Sequence, residues 1–156
     1  MAYRDSRLPS QDRPDNMRAE CAVEPGPGVL VYVDDVAAGW CSIAPRASYR
    51  RMLNSRTIRS SMNATHGSPS ASSSAPGYRR HSLMHPLLAG AVQHANGHGA
   101  EVVEGYPVEA GGGWVDVICG YVGTVELFER AGFHRAAPTT GRSGGQPRWV
   151  MRKTLR

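Results

Sequence analysis

Apolar residues recur in pairs every four positions between residues 83 and 95: Leu83-Met84, Leu87-Leu88, Ala91-Val92 and then Ala95. This spacing gathers them on one face of a helix. Pro86 fits such a helix only in its first turn, so the helix starts near Leu83 or later. The turn before it is basic, Tyr78-Arg79-Arg80-His81-Ser82. Free backbone N–H groups and the positive end of a helix dipole beside arginines suit a phosphate group. The residues fit a plain basic surface turn as well. Downstream come a short strand, Ala100-Glu101-Val102-Val103-Glu104, then a glycine-rich loop, and then a second helix over residues 120–131, closed by Gly132-Phe133.

A chain of 156 residues is about one domain, long enough to bury a core. The net charge of +5 comes largely from arginine pairs such as Arg50-Arg51 and Arg79-Arg80. A basic balance favours an anionic partner, and a polyphosphate cofactor satisfies it as well as nucleic acid does. No alternation of aromatic and basic residues and no recognition-helix pattern accompanies the charge, so nucleic acid is not the expected partner. Cys21, Cys41 and Cys119 are far apart, and the six histidines form no ligand pattern. Neither a disulfide framework nor a metal site is expected. Residues 1–18 lack a signal-peptide core, and no apolar run of membrane-spanning length occurs. The expectation is a cytoplasmic protein without a membrane partner.

Residues 1–27, with Pro9, Pro14, Pro25 and Pro27, read as a poorly ordered arm carrying one short helix around residues 16–23, ahead of a domain over 28–156. Val29 to Val33 and Val36 to Ile43 read as two strands joined by a tight turn at Asp34-Asp35. The arginine-rich connector over residues 48–59 either touches a phosphate group or is a solvated face, the commoner case for such a charge run. Phe133 to Ala137 and Arg148 to Lys153 form a closing pair of strands around a glycine-rich turn, with edges basic enough to resist edge-to-edge association.

This order of parts resembles the GNAT superfamily of acetyl-CoA-dependent N-acetyltransferases over residues 28–153. The family's pyrophosphate loop, Arg/Gln-x-x-Gly-x-Gly/Ala, falls on Arg79-Arg80-His81-Ser82-Leu83-Met84, and Leu127-Phe128-Glu129-Arg130-Ala131-Gly132-Phe133 is similar to its helix end. The resemblance implies an α/β fold with a GNAT-like mixed, mostly antiparallel sheet flanked by helices. It implies acetyl-CoA as acyl donor and a small-molecule or peptide amine as acceptor, by direct attack; the alternative is a catalytically degenerate acyl-CoA-binding relative. Tyr78, Arg79, Arg80, His81, Ser82, Leu83 and Met84 are then expected to hold the pyrophosphate and Thr124 to touch the pantetheine arm. Ser82 and Met84 stand where the family has small residues, and Ser82 is expected to compensate as a helix N-cap.

The resemblance assigns no catalytic base or acid. Phe128 stands where the family often has a tyrosine acid, and Tyr121 or Tyr106 are the available substitutes. Glu104, near Tyr106 and Asp116, is a candidate carboxylate, although a solvated strand carboxylate is the commoner reading. The N-terminal part is shorter than the family's usual strand and helices.

The family's fourth strand is expected just before the phosphate loop, but residues 60–77 are rich in serine and have the composition of a disordered linker. If these serines are encoded by TCN codons, a one-base shift turns each into an NTC codon. Such codons always encode Val, Leu, Ile or Phe, so the shifted reading is an apolar strand. A pair of compensating frameshifts between about residues 60 and 78 is one hypothesis, and AGC or AGT codons at these serines would sink it. A genuine insertion is the other.

Overall fold

The computed structural model describes residues 9–58, 66–67, 71–74, 77–78, 82–111 and 122–155. In chain order the described elements are α1 (Arg13–Cys21), β1 (Gly28–Val33), β2 (Val36–Ser42), α2 (Arg50–Leu53), β3 (His66–Gly67), β4 (Ala71–Ser74), α3 (Met84–Gly97), β5 (Val102–Gly105), α4 (Val125–Arg130), β6 (His134–Ser143) and β7 (Gln146–Thr154). The order is that of an α/β fold with mostly antiparallel sheets flanked by helices.

Two hairpins follow from local sequence. β1 and β2 pair antiparallel up to Val33 opposite Val36, so Asp34 and Asp35 are the two turn residues. Their φ values of 49° and 60° give the turn whose twist matches the strands, and aspartate tolerates that conformation. The closing hairpin is longer than its apolar stretches suggest. β6 and β7 pair as far as Ser143 opposite Gln146, with Gly144 and Gly145 at φ 56° and 78° forming the turn. The pairing is irregular between Pro138 and Arg142, where the Gly141 N–H donates to Thr139 Oγ1 within the same strand.

The strands form two sheets, in the orders β1-β2-β4 and β3-β5-β7-β6. Residues 66–67 and 71–74 contribute one strand to each sheet. His66 and Gly67 pair parallel with Val102 and Val103 of β5, after which Ala71 to Ser74 pair antiparallel with Gly39 to Ser42 of β2. The segment expected to be a linker therefore carries paired backbone at these positions. Neighbouring strands supply backbone partners whatever the side chains, which lets serine enter a ladder that its propensity disfavours. The described pairing with β5 covers His66 and Gly67, and among the described strand pairs Glu104 and Gly105 are paired only on their β7 side, with Arg152 and Met151.

One face of the sheets is covered by α3 and α4. Leu87, Leu88, Ala91 and Ala95 bury the expected stripe of α3 with Cys41, Ile43, Val103, Val125, Phe128, Phe133 and Met151. On the other face Ala44, Tyr49, Met52 and Ile58 pack with Tyr106 and Val150. The connector after β2 is thus not a solvated face throughout: Tyr49, Met52 and Ile58 are buried, and their spacing was hidden among arginines. The N-terminal helix runs over Arg13–Cys21, earlier than expected because Pro14 serves as a helix-starting residue, and it buries none of its side chains.

Candidate active site

Helix α3 begins where the basic turn ends. Leu83 occupies its cap position with no side-chain hydrogen bond to the first turn. Ser82 does not serve as the N-cap. It adopts φ 56°, the left-handed conformation a glycine would take there at less cost, and it is exposed. The first N–H groups of this helix are consequently without a side-chain cap, as an anion site requires. Tyr78, Leu83 and Met84 are half-buried around this start. Arg79, Arg80 and His81 lie outside the described residues, as do Asp116, Cys119 and Tyr121.

Thr124 caps the second helix. Its backbone is extended, its Oγ1 accepts a hydrogen bond from the Leu127 N–H at 3.4 Å, and the helix runs from Val125 to Arg130. The start expected at residue 120 is corrected to Val125. Gly123 at φ 77° cannot continue a helix, and Val108 engages both sides of it: its N–H donates to the Gly123 carbonyl and its carbonyl accepts from the Val125 N–H. Phe128 is a core residue, 3% exposed, with its ring edge-on to Phe133 at 4.9 Å.

The most constrained polar group is Glu104. Rather than a solvated strand carboxylate, it is 0% exposed. Its Oε1 accepts from Arg152 Nε at 3.0 Å and Nη2 at 2.5 Å, and its Oε2 accepts from the Tyr106 hydroxyl at 3.1 Å. Alternation along the strand puts residues 104 and 106 on the same face. Arg46, in the turn after β2, donates Nη1 to the Tyr106 hydroxyl and Nη2 to the Ile58 carbonyl at 3.3 Å. Arg148, itself buried, donates Nε and Nη2 to the Tyr106 carbonyl at 2.8 and 2.6 Å. Burial, and then the neighbouring Glu104 carboxylate, push the Tyr106 phenol above its ordinary range, while Arg46 works against them.

Glu104 and Tyr106 were visible in the sequence as candidates, but Arg46, Arg148 and Arg152 were not. They come from 42 to 60 residues away, and only the alternation Arg148, Val150, Arg152 hinted that two arginines share a sheet face. Cys41 is no nucleophile, because burial pushes its thiol up to about 12. Among the described residues no group of three or more His, Cys, Asp or Glu side chains is arranged to hold a metal, and no helix is long and apolar enough to cross a membrane.

Neither a protein-family profile nor a curated protein sequence matches this chain. Solved structures do match its fold. The ribosomal-protein-alanine N-acetyltransferase of Brucella melitensis superposes with a TM-score of 0.58 at 16% identity, covering 99% of this chain and 85% of that one. The Salmonella typhimurium protein yncA, solved with its cofactor acetyl-CoA, gives 0.59 at 15% identity over 99% of this chain and 78% of that one. A GNAT-family acetyltransferase of Listeria monocytogenes gives 0.53 at 14% identity over 96% and 78%. Over nearly its whole length, the chain has the fold of the GNAT-family acetyltransferases.

Proposed function

We propose that this protein is an acetyl-CoA-dependent N-acetyltransferase that moves the acetyl group to a primary amine by direct attack. The observation that carries the reading is the parting of two strands. His66 and Gly67 pair with β5 and Ala71 to Ser74 pair with β2, and among the described residues the β5 edge at Glu104 and Gly105 has no partner on that side. An extended ligand arm with amide groups suits such an opening, because it can pair with strand backbone. Further along the chain stands the uncapped start of α3, suited to a pyrophosphate. The fold match to a protein holding acetyl-CoA supports the same assignment.

In this reading the backbone over residues 78–84 holds the pyrophosphate, and Arg79 and Arg80 add charge. Acetyl-CoA supplies the acyl group as a thioester. Thr124 borders the pantetheine arm, at the helix start beside Val108. The neutral amine forms its bond to the acyl carbon as the carbon–sulfur bond breaks. Glu104 takes the proton that the amine gives up, by way of water because its carboxylate is closed off from solvent. Its three hydrogen bonds leave one lone-pair direction on Oε2 for that proton. The departing thiolate is protonated from solvent. The acceptor is a small-molecule or peptide amine.

The test is amine-dependent release of free CoA, followed by mass spectrometry of the acceptor, with small polyamines and peptides bearing a free N-terminus as probes. Acetylated product that appears only with both substrates is the expected result. Binding of acetyl-CoA without product from any amine would overturn the assignment of an enzyme.

A further inference from the structure

The Tyr106 hydroxyl has one proton to place and two neighbours competing to decide where. Arg46 Nη1 can only donate to it, and the Glu104 carboxylate oxygen 3.1 Å away accepts. We propose that Arg46 is a positioning residue for acetyl transfer, aiming the Tyr106 hydroxyl proton at Glu104 Oε2 and thereby holding Glu104 in one orientation. The proposal rests on the reading that Glu104 takes the proton from the amine.

The geometry that carries it is a chain of donors with one direction. Arg46 donates to Tyr106, and Tyr106 donates to Glu104, whose other oxygen is fixed by Arg152. The charged groups facing the hydroxyl are Glu104 on its own strand and Arg46 from the turn after β2. Arg152 reaches it only through Glu104, and Arg148 is bound to the Tyr106 carbonyl instead. If Arg46 is removed, the hydroxyl is free to turn, and Oε2 loses the donor that orients it. Arg46 also anchors residues 45–58 through the Ile58 carbonyl, and its guanidinium carbon lies 5.7 Å from the centre of the Tyr106 ring. A purely structural role is therefore the rival, and the test must separate the two.

The experiment is a double-mutant cycle in the full chain, reading kcat and KM for acetyl-CoA alongside the thermal midpoint. Arg46→Met is expected to lower kcat by about tenfold, a part of the roughly 10²- to 10⁴-fold that a proton-transfer group contributes, with KM little changed. Arg46→Lys, which keeps one N–H donor, restores most of the loss. In a Tyr106→Phe background Arg46→Met then changes kcat less than about twofold, because the hydroxyl it acts through is gone. An equal loss in both backgrounds, or an unchanged kcat, overturns the proposal and leaves the acetyltransferase reading intact. A wild-type chain with no amine-dependent turnover overturns both. If Arg46→Met does not fold, Arg46→Leu, which also lacks a donor, closes the same cycle with the same expectations.

Discussion

Gly105 and Phe128 are in such close contact that a Cβ built on Gly105 would stand 2.1 Å from the phenyl Cε1. The strand that carries Glu104 is therefore fixed against the helix that Thr124 caps. Gly105→Ala is expected to destabilise the fold by about 1–3 kcal/mol, the usual cost of overpacking a core. Denaturant unfolding followed by circular dichroism measures it. An unchanged midpoint would mean that the ring moves aside freely, and that the strand and helix are less tightly fixed than this contact implies.

Among the described residues Glu104 is the single buried carboxylate, beside the buried polar residues Arg148 and Ser42. Replacing it by Gln removes a charged partner of Arg152, whose side chain is only 16% exposed. Removing one member of a buried ion pair costs about 3–5 kcal/mol. Because Arg152 keeps some access to water, the lower end of that range is expected in chemical unfolding. If Glu104→Gln is neutral, the pair does not hold β5 to β7.

Thr124→Ala tests the corrected start of α4. Losing the Oγ1 contact to the Leu127 N–H should cost about 1 kcal/mol. Thr124→Ser, which keeps the acceptor, should cost less than half of that. Equal losses in the two variants would show that the methyl group, and not the cap, matters.

His94 and His98 are stacked at the end of α3, ring centres 4.4 Å apart, and should titrate on opposite sides of 6.5. The His94 carbonyl, together with Glu24, holds His98 above that value, whereas burial and then the His98 charge hold His94 below it. The stability His98 contributes is present below pH 6.5 and lost as the pH rises through its higher folded value. His94 acts oppositely: stability falls as the pH drops below 6.5, where the unfolded chain takes up the proton first. Proton NMR of the two rings should resolve the order, and His98→Gln should move the His94 titration upward. A single shared titration would contradict it.

The legibility of this fold in its sequence followed the range of the interactions. The α3 stripe, the Asp34-Asp35 turn and the closing hairpin depend on neighbours a few residues apart, and the residues gave them away. The start of α4 needed Val108, far off in sequence, to bridge to Thr124. Pairing of the serine-rich run was hidden because its hydrogen bonds come from β2 and β5, not from its own composition. The hydrogen bonding of Glu104 and Tyr106 depended on arginines from two distant segments, Arg152 on Glu104 and Arg46 on Tyr106. The resemblance of residues 79–84 to a pyrophosphate-loop motif was legible, yet Ser82 sits in the conformation the motif's glycine would take and caps nothing.

The serine run makes a prediction of its own. Replacing Ser72, Ser73 and Ser74 by Val, Ile and Val should raise stability, since β-branched residues suit a paired strand by up to about 1 kcal/mol each. That is the composition a restored reading frame would supply. A loss of stability would mean that this strand is fitted to its serines, and would count against the frameshift hypothesis.

The most direct test of the account is a calorimetric titration of the folded chain with acetyl-CoA. The account predicts saturable binding at a single site, with half-saturation between about 1 μM and 1 mM as for ordinary enzyme substrates. Binding should weaken when Arg79 and Arg80 are both replaced by Ser, and when salt is raised. A folded chain that shows no saturable binding, or whose binding ignores both changes, would contradict the assignment of the α3 start as the pyrophosphate site.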